Sequence, residues 1–72
     1  MSTMPTTMKD LVERRAEENN IVFVPMPNKT QEAKQVYRFG RVQIYLDRGV
    51  VMLYENNMWV PTSLNMLIEK GR

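Results

Sequence analysis

The residue pattern predicts an α+β fold: a helix, three or four antiparallel strands and a second helix, packed as a two-layer sandwich. Three observations lead there. Met8, Leu11, Val12, Arg15 and Ala16 follow the i, i+3, i+4, i+7, i+8 spacing of one narrow helical stripe. Further on, β-branched and aromatic residues alternate with polar ones between turn residues. After Pro61 a cap signal opens a helical pattern carried by Leu64, Leu67 and Ile68.

Each element has a local reason. Thr6 or Thr7 caps the first helix, and Thr7 with Asp10 has capping-box spacing, although Glu or Gln is the better partner. The helix runs over about 7–19, ended by Asn19 and Asn20, which tolerate the left-handed conformation. Residues 21–24 (Ile-Val-Phe-Val) read as a strand with both faces partly covered; Pro25 and Pro27 end it or confine it to an edge. Residues 28–33 are polar and loop-like. From Gln35 to Leu46 the alternation passes through Gly40, which reads as a mid-strand bulge or bend. Val42, Ile44 and Leu46 then share one face, with Arg41, Gln43 and Tyr45 on the other.

If Gly40 leaves the parity unshifted, Tyr37 and Phe39 join Tyr45, Arg41 and Gln43. Such a mixed face suits single-stranded nucleic acid by stacking, and equally the packing of helices. Asp47-Arg48-Gly49 makes a hairpin into the strand 50–54, and Asn56-Asn57 a second turn. Met58-Trp59-Val60 is either a fourth strand or an extended lead into the last helix. Trp59, the single tryptophan, is placed as a cap on the core between strand and helix, with a partner anchor as the sharper alternative. Thr62 or Ser63 caps the last helix and Gly71 stops it. Residues 1–5 read as a disordered lead-in and 6–72 as a single domain.

Composition narrows the chemistry. The chain of 72 residues has room for one small domain. It has no cysteine and no histidine, which removes thiol nucleophiles, thiolate metal sites and the commonest general base. The three glycines are isolated, so no phosphate-cradling loop exists, and Asp10, Glu13 and Glu17 are spaced like a solvated helix face. No enzymatic activity, cofactor or metal is expected. No apolar stretch approaches the ~20 residues that span a bilayer, and the start lacks a signal-peptide pattern, so no membrane contact is expected.

Net charge is +2, but Lys29, Lys34, Arg38, Arg41 and Arg48 crowd one segment against only Glu32 and Asp47. Those five are the candidate RNA contacts. Ile21, Phe23 and Tyr37 are the candidate partner contacts, around an edge strand open to β-augmentation by a protein or a second copy of the chain.

FGRVQIYLDRGVV followed by WVPTSL, with LVERRAEENNIVFVP upstream, resembles the C-terminal domain of the tuftelin-interacting protein (septin-and-tuftelin-interacting) family of G-patch splicing factors. The likeness covers roughly residues 8–70. It implies a nuclear protein that works with a DEAH-box helicase in dismantling spent spliceosomes, and hence spliceosomal protein partners. The G-patch that would recruit the helicase is not among these residues, so that activity is not carried over.

The element order is also similar to the double-stranded RNA-binding domain. That family reads A-form RNA through its first helix, a loop between its first strands and a basic start to its last helix. Here the loop lacks the family's Gly-Pro-x-His pattern, and the last helix opens Pro61-Thr62-Ser63-Leu64-Asn65 without lysine. Lys29 and Lys34, with Lys9, offer two or three phosphate contacts, which implies weak, salt-sensitive binding. A protein-interaction module is the first reading, a weak RNA binder the second. A terminus that packs on its parent protein is the third.

Overall fold

Thr7 opens the first helix, α1 (Met8–Glu18), in the computed structural model, which describes residues 7–72. Its hydroxyl accepts from the Asp10 N–H at 3.2 Å, and the Asp10 carboxylate accepts from the Thr7 N–H at 3.4 Å. The capping box is complete with aspartate in the usual glutamate position. The expected lead-in over 1–5 and the alternative cap Thr6 lie outside the described residues. Val12 and Ala16 are buried and Met8 packs on the core, while Arg15, the polar member of the stripe, stays exposed. At the far end Asn20 takes φ 56°; the N–H groups of Asn20 and Ile21 donate to the carbonyls of Glu17 at 3.2 Å and Ala16 at 2.8 Å. That is a Schellman ending.

Five antiparallel strands follow, rather than three or four: β1 (Phe23–Gln31), β2 (Lys34–Phe39), β3 (Val42–Asp47), β4 (Val50–Glu55) and β5 (Met58–Thr62). They pair strictly in chain order. Gly40 supplies one reason for the higher number. At φ 59° it opens a tight turn with Arg41, so the run 35–46 is two strands and not one bent strand. Positive φ at the first position only is the II′ pattern, which calls for glycine there. Glu32-Ala33, Arg48-Gly49 and Asn56-Asn57 are positive at both positions, the I′ pattern.

Two further differences come from pairing. Met58–Thr62 is a full strand, with Trp59 opposite Tyr54 and Val60 opposite Leu53. The polar segment expected as a loop extends β1, because Thr30 and Gln31 pair with Gln35 and Lys34. Between Pro25 and Thr30 the register shifts, leaving residues 26–29 opposite Val36 alone. The Gln35 amide braces this bulge by donating to the Met26 carbonyl at 2.7 Å.

The second helix, α2 (Leu64–Gly71), starts on Ser63, whose hydroxyl accepts from the Met66 N–H at 3.3 Å. Both helices cover one face of the sheet. Val12 and Ala16 of α1 and Leu67 and Ile68 of α2 bury Phe39, Ile44, Val51 and Leu53 beneath them. Each large side chain so buried contributes about 1.5–3 kcal/mol. Gly71 does more than end α2. Its carbonyl accepts from the Arg41 N–H at 3.1 Å, and a Cβ on it would stand 2.6 Å from the Phe39 ring. A Cβ on Gly40 would meet the Gly71 carbonyl at 2.0 Å.

The outer strands are β1 and β5, and each places a proline where a free N–H would face outward. The Gly40 N–H donates to the Val22 carbonyl at 2.7 Å, so Val22 points its backbone inward, and alternation turns Phe23 and Pro25 outward. In β5 the tight turn at Asn56-Asn57 directs Met58, Val60 and Thr62 inward, and Trp59 and Pro61 outward.

Candidate functional site

Strand parity decides which side chains are neighbours. The Gly40-Arg41 turn pairs Phe39 with Val42 and Tyr37 with Ile44, so Tyr37 and Phe39 lie on the helix-covered face. Tyr45 lies on the opposite one, as expected for Val42, Ile44 and Leu46 against Gln43 and Tyr45. The mixed face of Tyr37, Phe39 and Tyr45 therefore does not form: Phe39 is in the core, and Tyr37 packs at its margin.

Three surfaces result. The first is a groove of about 280 Å³ between α1 and the β1–β2 edge, lined by Lys9, Glu13, Phe23, Pro25, Gln35 and Tyr37. Two of the candidate partner contacts meet here, with the Phe23 ring 4.9 Å from Tyr37 and 6.1 Å from Phe39. Ile21 stands apart, half-buried against the core with its N–H taken by Ala16. Val22 and Val24 are exposed, so the strand is covered on one face only, not on both.

The second surface is the helix-free face. Val36 and Tyr45 are buried there although no helix covers them, at 0% and 5% exposure. Trp59 packs edge-on against Tyr45 at 4.9 Å and lies 5.0 Å from Tyr54. The tryptophan therefore does not cap the core between β5 and α2; it sits on the other side of the sheet. Burial holds the Tyr45 phenol above its usual 10.0, and the Glu32 and Asp47 carboxylates push the same way. Lys29 crosses from the bulge to donate to the Gln43 amide at 2.6 Å, and Lys34 faces Asp47 at 3.8 Å.

The third is an open groove where the two helices end, lined by Asn19, Arg38, Arg41 and Arg72 among others. Arg72 donates to the Asn19 side chain at 3.0 Å, and Arg38 to the Gly40 carbonyl at 3.0 Å. Two helix C-termini present partial negative charge here, and the arginines complement it. A phosphate between the helix ends would face their carbonyls, a poor place for it, although Arg38 itself leaves the sheet on the helix-free side. The five candidate RNA contacts are thus scattered: Arg38 and Arg41 at this end, Lys34 and Arg48 at the opposite end of the strands, and Lys29 over the middle.

Among the described residues, no group of three or more His, Cys, Asp or Glu is gathered to hold a metal. Among the same residues no helix is long and apolar enough to cross a membrane.

Comparison with known proteins then supplies what the geometry does not. Residues 9–72 match the model of the TFIP11 C-terminal domain. The chain belongs to that family. This is the splicing-factor family whose pattern FGRVQIYLDRGVV and WVPTSL resemble. The chain is similar to tuftelin-interacting protein 11 of Sus scrofa, Canis lupus familiaris and Rattus norvegicus, 52% identical over 71 residues in each case. The match takes in 99% of this chain and 8% of each relative. The TFIP11 C-terminal domain is thus a small part of those proteins. Sequence reasoning passed over Tyr54 as a surface residue and over Arg72. Tyr54 was findable from its place opposite Trp59 across the Asn56-Asn57 turn, whereas Arg72 gave no signal.

Proposed function

We propose that this domain is a non-catalytic docking module of a nuclear splicing factor that acts in spliceosome disassembly, and that it contacts a spliceosomal protein. The groove between α1 and the β1–β2 edge carries this reading, because it brings Phe23 and Tyr37 together with Pro25 under a rim of opposite charges, Lys9 and Glu13. Aromatic anchors inside a polar rim are the usual anatomy of a protein contact. Absence of histidine and cysteine supports a non-catalytic role. Docking by side chains is favoured over strand addition, since the Ile21 N–H is engaged and Pro25 has none, which leaves Phe23 as an isolated outward donor between them.

The test is crosslinking of the chain in nuclear extract through Lys9, read by mass spectrometry. We expect a spliceosomal protein, and a marked loss of that crosslinked product in the Glu13→Lys, Pro25→Asp double variant. Capture that is indifferent to the double variant, or recovery of no spliceosomal protein, would sink the proposal. A dimer in sedimentation would make a second copy the occupant.

A further inference from the structure

The helix-free face has an order that the groove does not. Val24 stands opposite Arg38, Arg38 opposite Gln43, and Tyr54 opposite Trp59. Carrying the Ile44–Leu53 register on by one residue sets Gln43 beside Tyr54. These five side chains form one row across all five strands, about 19 Å long at ~4.8 Å per strand. The exposed Val24 stands at the β1 end, and next to it the row is cationic, with Arg38 exposed and Lys29 hydrogen-bonded to the neighbouring Gln43. The other end is aromatic and uncharged. Tyr45, 5% exposed beneath Trp59, fixes the ring geometry in advance. Two carboxylates act on this face: Asp47, which is matched by Lys34, and Glu32, which stands in the turn near Tyr45.

We propose that this row binds single-stranded RNA, with bases stacked on Tyr54 and Trp59 and phosphates held by Arg38 and Lys29. Rings that need no base identity, next to cations on an open sheet face, are the parts of a stacking platform. A duplex keeps its bases stacked on one another and away from such rings. The choice of RNA rests on the splicing family to which the chain belongs. This surface lies on the opposite side of the sheet from the protein groove, so either proposal can fail without the other.

Trp59 is the only tryptophan and serves as the probe. A single-stranded oligouridylate of about ten nucleotides is titrated at low salt while its fluorescence is followed. Saturable quenching is expected, with log K falling against log salt at a slope of about −1.4 for two phosphates. Tyr54→Ala, at a side chain 41% exposed, should weaken binding on the order of tenfold with the fold intact by circular dichroism. Tyr54→Leu, which keeps apolar area without a ring, should lose as much. Arg38→Ala should reduce the slope to about −0.7. No quenching at low salt overturns the proposal, as does unaltered binding by the Tyr54 variants. Equal competition by duplex RNA overturns it too. Preferential binding of polyglutamate would also overturn it, assigning the face to an acidic protein segment.

Discussion

Gly71 and Gly40 are the residues on which the helix–sheet junction turns. A methyl group on Gly71 would enter the Phe39 ring, 2.6 Å away, and the fully buried ring or the helix end must shift to admit it. Gly71→Ala should therefore lower stability by about 1–3 kcal/mol, read as a shift in the urea midpoint at unchanged slope. An unaltered midpoint would mean that the helix end is loosely held. Tyr45 offers a second reading at this scale. Its phenol is held above 10.0 chiefly by burial, with Glu32 and Asp47 adding to it. Below about pH 10 both folded and unfolded chains keep the proton, and the contribution is intact. As pH climbs from 10 toward the raised value, the unfolded chain ionises first and stability is lost. Tyr45→Phe should leave the melting temperature near its original value at pH 7 and fall less steeply above pH 10. Neither role was legible from sequence, since Gly71 read as a plain helix stop and Tyr45 as one member of an aromatic set.

Turns decide the elements. Arg48-Gly49 and Asn56-Asn57 were readable because glycine and asparagine accept positive φ cheaply. Glu32-Ala33 was not: it takes φ 53° and 61° with residues that resist it, so the segment looked like loop and β1 looked short. The left-handed conformation costs an L-residue about 1–2 kcal/mol, and the surrounding hairpin bears that cost. Ala33→Gly should consequently stabilise the domain by about 0.5–1 kcal/mol after allowing for glycine's extra chain entropy. A thermal melt that moved downward instead would show that the turn is not strained. Gly40 misled for the opposite reason. Its left-handed φ serves a tight turn, and a turn of two residues reverses the chain while exchanging which side chains share a face.

Across the whole molecule the legible part was the order of elements and the assignment of α1, α2, β3 and β4 to one layer pair. Their apolar spacing is local, so it survives without knowledge of neighbours. The candidate surfaces were less legible because they depend on register. A single reversal at Gly40-Arg41 sent Tyr37 and Phe39 under the helices and left Tyr45 to meet Tyr54 and Trp59, from strands β4 and β5. The basic residues, adjacent in sequence, were dispersed by the same folding back of the chain. The prolines at the two outer strands have a consequence of another kind. Sheets that end in open donors template one another when crowded, and this one ends in Pro25 and Pro61. Phe23 and Trp59 still turn an N–H outward, so each edge is a donor row broken at its proline, and crowded copies meet only short stretches on which to pair.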